Sequence, residues 1–258
     1  MLAVRDVTVR FGGLTAVHEL NLDLPDLGIF ALVGPNGAGK TTLINALSRV
    51  TMVTQGSITL DGIDVLKLAS HDVIRHGIAR SFQKAEIFPT LSVLDNLLVG
   101  LHAQMTAGLE GALYPPPVRV QERRARERAE ELLRKLNLWA ERGDSPADLP
   151  YGHQKLLDVA RALISDPKLL LLDEPFAGLT EAETPRLLEC IVDAGKTRTI
   201  FMIEHHFELL ESIAQRITVM DFGRKIAEGV PSEIRADPEV IRCYLGTGRR
   251  KNVGTAAC

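Results

Sequence analysis

Residues 34–41, Gly34-Pro35-Asn36-Gly37-Ala38-Gly39-Lys40-Thr41, fit the pattern GxxxxGK[ST] in full. Each residue type answers a need of phosphate binding. Glycines let successive backbone N–H groups turn inward on an anion, and a helix starting at Lys40 adds its positive dipole end. The Lys40 ammonium reaches the β- and γ-phosphates, and the Thr41 hydroxyl is a hard ligand for Mg²⁺. A second group stands at Asp173 and Glu174, which close the apolar run 169–172. A carboxylate there suits a divalent cation, and its neighbour suits polarisation of an attacking water. His205 closes another apolar run, TIFMIEH (199–205), and Gln83 follows a short one. Taken singly, a histidine or glutamine at such a place is most often an ordinary loop residue. Their weight comes from the set and its order.

These groups need elements to hold them. Residues 29–33 read as a fully buried strand, which the loop 34–39 joins to a helix, the context a phosphate loop requires. Because ligands in open α/β sheets bind beyond the carboxyl ends of strands, LLLLDE (169–174) and TIFMIEH place their last residues at that edge. The front of the chain alternates instead: residues 2–11, with Leu2, Val4, Val7, Val9 and Phe11, form one strand, and Leu20, Leu22 and Leu24 mark a second. A hairpin is expected at Asp61-Gly62, between SITL (57–60) and IDVL (63–66), and another at Asp221-Phe222-Gly223. Ser232 and Asp237-Pro238 read as helix starts.

Residues 84–165 differ, being mostly helical. YPPP (114–117) is unsuited to a helix interior, and the run 119–136 carries an apolar stripe of Ala125, Ala129, Leu132, Leu133 and Leu136. Glu122/Arg126, Glu130/Arg134 and Glu131/Lys135 are spaced for i,i+4 pairing, so the run reads as a solvated amphipathic helix rather than a nucleic-acid arm. The fold class expected is α/β: a phosphate-loop core with a mostly parallel sheet, an N-terminal antiparallel β subdomain and an inserted helical subdomain.

Composition sets the outer bounds. The chain has 258 residues, and 45% of them are hydrophobic and 24% charged, average for soluble globular proteins. A formal net charge of −3 gives no global attraction to nucleic acid or anionic membrane. Three cysteines, Cys190, Cys243 and Cys258, include no CxxC pair and suit a reduced compartment. No apolar run approaches the length of a membrane span, and the N-terminus lacks a signal-peptide core, so the expectation is a cytosolic or peripheral protein.

The order GPNGAGKTT, Gln83, LPYGHQ (149–154) running into KLLDVARAL, then LLLLDEP and IEHH resembles the ATPase subunit of ABC transporters over about residues 2–246. Several stretches look like one branch, the ATPases of branched-chain and other hydrophobic amino acid importers. They are FGGLTAV (11–17), GIARSFQ (77–83), IFPTLSVLDNLLVG (87–100), AGLTEAET (177–184) and AEG…IRADPEVIRCYLG (227–246). The resemblance implies one cassette domain over 1–246, with a nucleotide-binding core of about 1–83 and 166–246, a helical subdomain of about 84–165, and a disordered tail at 247–258. It also implies two such subunits head to tail with two ATPs between them. In that arrangement Gly34 through Thr42, including Thr42 itself, bind nucleotide; Phe11 stacks on adenine; and Tyr151, Gly152 and His153 grip the γ-phosphate held by the other subunit. Thr41, Gln83 and Asp173 hold Mg²⁺, Glu174 activates water, and Lys40, Gln83 and His205 complete the catalytic set. The implied partners are a second ATPase subunit, a separate transmembrane permease docked near Gln83 and residues 87–99, and indirectly a solute-binding protein. The implied location is the cytoplasmic face of the membrane, with no nucleic acid involved.

Three positions depart from the family pattern. Pro150 replaces the signature serine, His153 the signature glutamine, and Thr180 the Asp or Asn that follows DEP, departures that bear on cross-subunit coupling. Alternatives stay open: an importer of urea or another small solute, a hydrolysis-poor member of an unequal ATPase pair, and a soluble ATPase of DNA repair or translation. Proteins of the last kind usually carry a long coiled coil or a second cassette on the same chain, and neither is expected from this sequence.

Overall fold

A computed structural model describes residues 1–102 and 115–245. The chain divides into two compact units, Met1–Ser70 with Phe201–Cys258, and His71–Ile200.

In the first unit, β1 (Leu2–Phe11) and β2 (Leu14–Leu24) form an antiparallel hairpin, and β1 also pairs with β4 (Gln55–Leu60). Their period-two alternation buries Leu2, Val4, Leu20, Leu22, Leu24 and Ile58 on one face. Phe11, at the strand end, is instead half exposed. β5 is only Ile63–Asp64. The expected strand IDVL stops there because the Asp64 carboxylate accepts the Leu66 N–H (3.0 Å) and winds Val65–Lys67 into a 3₁₀ turn. β3 (Gly28–Val33) is buried at every residue and runs parallel to β9 (Arg216–Asp221), which turns at Phe222-Gly223 into β10 (Arg224–Gly229). Helix α1 (Lys40–Leu47) follows β3 directly.

The second unit holds β6 (Ile78–Arg80) parallel to β7 (Leu169–Asp173), with helices α2 (Val93–His102), α3 (Pro115–Lys135), α4 (Tyr151–Ile164) and α5 (Thr184–Gly195). The three prolines of YPPP occupy the first turn of α3, where a missing N–H costs nothing; Tyr114 lies outside the described residues. The stripe of α3 packs as expected, with Ala129, Leu133 and Leu136 fully buried. Its charge register differs at one pair: Arg126 meets Glu130 (3.3 Å), not Glu122, while Glu130/Arg134 and Glu131/Lys135 form.

β8 (Thr199–Ile203) spans the boundary between the two units and is buried throughout. Beyond it come α6 (Phe207–Ile213), α7 (Pro231–Ala236) and α8 (Pro238–Val240). Asp237 caps α8 as expected, accepting the Glu239 and Val240 N–H groups. Ser232 is not the cap: the N-cap of α7 is Val230, two residues earlier, with Pro231 first in the helix and the Val230 N–H donated to Glu233. The tail from residue 246 lies outside the described residues. Parallel strands, an antiparallel sheet and interspersed helices make this an α/β fold of the phosphate-loop kind.

Candidate nucleotide site

The loop 34–39 leaves β3 and closes on the N-terminus of α1. Two backbone positions dictate glycine. Gly34 has φ +151° and Gly39 φ +95°, and a Cβ on either would run into a carbonyl oxygen, that of Met220 or of Ala16. The Ala38 N–H bonds back to the Pro35 carbonyl (3.2 Å), and the Gly223 N–H donates to the Ala38 carbonyl (3.0 Å). Lys40 is buried, its ammonium donating to the Gly34 and Pro35 carbonyls (2.8 and 2.9 Å). The lysine is thereby drawn over its own loop. Asn36, Gly37 and Thr41 remain exposed, and a Cβ at Gly37 would meet nothing within 4 Å. This is a cradle of backbone around open space at a helix start, which fits a phosphate chain. In the same unit, Glu204 is buried and accepts the His205 backbone N–H (3.1 Å), leaving the His205 side chain exposed at the end of β8.

The second unit assembles its groups around the carboxyl end of β7. Asp173 is buried, with the Arg80 guanidinium 4.0 Å away. Glu174 follows at φ +49°, a left-handed backbone that a non-glycine residue adopts only when its surroundings impose it. Gln83 Nε2 lies 3.5 Å from Glu174 Oε2, a long contact that joins two residues 91 positions apart.

What holds Gln83 there could not be read from its own neighbourhood. Lys155, fully buried in α4, donates to the carbonyls of Phe82 (2.7 Å), Gln83 (3.0 Å) and Asp173 (3.3 Å). One turn on, Asp158 accepts the Phe82 N–H (2.9 Å) and the Arg161 guanidinium (2.8 Å). A buried ammonium is tolerable when carbonyls surround it, and here it locks the Gln83 backbone to the end of β7. Burial pushes the Asp158 carboxyl above the ordinary aspartate range, against the Phe82 N–H, Arg161 and Lys155, which favour its ionised form. Burial likewise lowers Arg80, opposed by Asp173, Glu86 and Asp158. The available sequence signal was a lysine and an aspartate three apart in a helix that is apolar around them, KLLDVARAL.

Tyr151, Gly152 and His153 form the first turn of α4, with Pro150 preceding it. Gly152 is buried and Tyr151 half exposed. Ionised Glu183 lies beside them: it accepts the Thr180 N–H (2.7 Å) and hydroxyl (2.8 Å), and its other oxygen is 3.6 Å from His153 Nε2.

A divalent cation can be tested against these donors. No three His, Cys, Asp or Glu side chains stand together as a metal cage among the described residues. In the second unit the Gln83 amide and the Asp173 carboxylate are oxygen donors, and in the first unit the exposed Thr41 hydroxyl is another. Each is a hard ligand of the kind that suits Mg²⁺ and suits neither zinc nor a soft metal.

A phosphate cradle between a buried strand and a helix, in an α/β chain, defines a P-loop nucleotide-binding protein. The model of the ABC transporter family matches residues 17–177, and that of the branched-chain amino acid ATP-binding cassette transporter matches residues 224–249. The chain belongs to the ABC transporter family, as an ATP-hydrolysing, nucleotide-binding cassette. It is 40% identical to the high-affinity branched-chain amino acid transport ATP-binding protein LivG of Salmonella typhimurium, covering 95% of this chain and 98% of that one. It is 39% identical, with the same coverage, to BraF of Pseudomonas aeruginosa, which has the same description. Among solved structures, an ATP-binding cassette of an ABC transporter in its ADP conformation superimposes with a TM-score of 0.80 at 26% identity, over 95% of this chain and 98% of that one.

Proposed function

We propose that this cassette powers import of branched-chain or related hydrophobic amino acids through a separate membrane permease. The observation that carries the reading is the joint presence of the phosphate cradle at 34–41 and the Gln83–Glu174 contact, in a chain similar end to end to LivG and BraF. Among the described residues no helix is long and apolar enough to cross a membrane, so the translocation path is assigned to another polypeptide.

In this reading the backbone N–H groups of 34–39 and the Lys40 ammonium bind the phosphates of ATP, with Thr42 beside them and Phe11 on the base. Thr41, Gln83 and Asp173 hold Mg²⁺, which when bound offsets charge on the transferring phosphoryl group. Glu174 takes a proton from the attacking water while the Gln83 amide and His205 orient it. Tyr151, Gly152 and His153, at a helix N-terminus, contact the γ-phosphate held by a second subunit, so ATP is bound more tightly in the paired state. Gln83 reports occupancy to a permease docked near residues 87–99, where Phe88 and Val99 are exposed. A solute-binding protein completes the system, and the cassette sits on the cytoplasmic membrane face. We assign residues 1–246 to one cassette domain, with 84–165 as its helical part.

The test is a mild-detergent pull-down of tagged Glu174→Gln with Mg-ATP from intact membranes. Polytopic membrane proteins are expected to co-purify, and their ligand specificity names the solute. Recovery of soluble partners alone overturns the transport reading.

A further inference from the structure

Two of the three departures from the family pattern, His153 and Thr180, meet on one carboxylate. Glu183 is almost fully buried, with 7% of its surface exposed, and its two oxygens divide their work. Oε2 takes the Thr180 N–H and hydroxyl in the loop that leads into α5. Oε1 stands 3.6 Å from His153 Nε2, while His153 Nδ1 is 3.6 Å from Glu141 Oε1. The ring of a helix-first-turn residue is thereby set between two carboxylates.

The two neighbouring residues of the same turn also touch that loop. A Cβ on Gly152 would come within 2.5 Å of Glu183 Oε2, so the carboxylate rests against the bare glycine. A Cβ on Gly178 would come within 2.6 Å of Tyr151 Cε1, so the tyrosine ring rests against the loop backbone. Three consecutive residues of the α4 first turn are thus seated on 178–183. Burial disfavours the ionised Glu183, but the Thr180 amide and hydroxyl, with His153 and Arg186, overcome this and hold its pKa below the ordinary range.

We propose that Glu183 is a positioning residue that makes the 151–153 turn and the 178–183 loop a single rigid element, with His153 and Thr180 as its matched partners. Replacing the usual glutamine by histidine supplies a ring that reaches Glu183. Replacing Asp or Asn by threonine removes a group that would compete with Glu183 for the Thr180 N–H. The element presents Tyr151 and Gly152 in fixed register. This rests on the proposed role of 151–153 at the second subunit's nucleotide.

The experiment combines ATP turnover by the full chain with amide hydrogen exchange, using Glu183→Gln, His153→Gln, the double variant, Thr180→Val and Thr180→Ser. The exchange arm needs no turnover, so it separates this inference from the function it rests on. In Glu183→Gln, amides of 151–154 and 178–184 are expected to exchange faster together by tenfold or more. In turnover, Glu183→Gln and His153→Gln each lower kcat about five- to tenfold, with KM for ATP within twofold. The double variant is no worse than the worse single one. Thr180→Ser keeps wild-type kcat while Thr180→Val loses it. Additive losses in the double variant, or faster exchange confined to 178–184 with 151–154 unchanged, overturn the coupling and leave Glu183 as a local cap.

Discussion

Residues 34–41 and the cluster at the end of β7 both present groups suited to phosphate chemistry, yet different physics holds them. The phosphate loop is local. Its Ala38–Pro35 turn and the Lys40 bonds to Gly34 and Pro35 close within seven positions, and beyond them it meets backbone, the carbonyls of Ala16 and Met220 and the Gly223 N–H. The cluster is non-local: Lys155 reaches back 73 positions to Phe82, and Gln83 meets Glu174 across 91. One region is shaped by backbone, the other by buried ionised side chains. Sequence changes should therefore break them in different ways.

The largest effects are expected where chemistry is removed outright. Lys40→Ala should lower ATP turnover at least about a hundredfold, by loss of a charge at the transferring phosphate. Glu174→Gln should do the same while nucleotide binding survives; a phosphate-release assay beside a fluorescent-nucleotide titration checks both.

Next comes a pair that separates the two kinds of support. Gly34→Ala places a Cβ against the Met220 carbonyl at a φ that L residues avoid, and about 2 to 4 kcal/mol of stability should be lost in urea unfolding. Lys155→Met leaves the carbonyls of Phe82, Gln83 and Asp173 without their buried donor and should cost about 3 kcal/mol. Its turnover should fall as well, through loss of Gln83 position, although Lys155 belongs to no recognised catalytic set. Full turnover in Lys155→Met would break the contrast between the regions.

Smaller effects sharpen the contrast through pH. Asp158 has a raised folded pKa, so its contribution is fully present below its unfolded pKa and declines as pH rises through the folded value. The stability advantage of wild type over Asp158→Asn should shrink across that rise. Glu183 has a lowered pKa, so its contribution is present above its unfolded pKa and is lost as pH falls through the folded value. Thr180→Val should bring that loss to higher pH. Urea midpoints at several pH values read both signs. At the bottom of the scale, Arg126→Ala removes an exposed i,i+4 partner of Glu130 and should change stability by about 0.5 kcal/mol or less.

The same contrast explains how much the sequence discloses. GPNGAGKT is legible because its meaning lies within one loop, and the buried runs 29–33, 169–172 and 199–203 are legible because strand burial leaves a continuous apolar record. The hairpin at Phe222-Gly223 and the Asp237 cap are local in the same sense. Lys155, Asp158 and Arg80 are not legible in the sequence because a buried charge is explained only by partners that folding brings from elsewhere. IDVL has the alternation of a strand, but the Asp64 side chain bonds the backbone two residues on, a competition that hydrophobic alternation does not record. Ser232 is a cap by type, but Pro231 before it fixes the first helical turn. His153 and Thr180 read as separate defects along the chain and meet on Glu183 only in space.

The most direct test of the central claim is steady-state phosphate release from Mg-ATP by wild type, Lys40→Ala and Glu174→Gln, each with a nucleotide-binding titration. Turnover is expected in wild type, neither binding nor turnover in Lys40→Ala, and binding without turnover in Glu174→Gln. Undiminished phosphate release by both variants would contradict the assignment of these two regions to ATP hydrolysis.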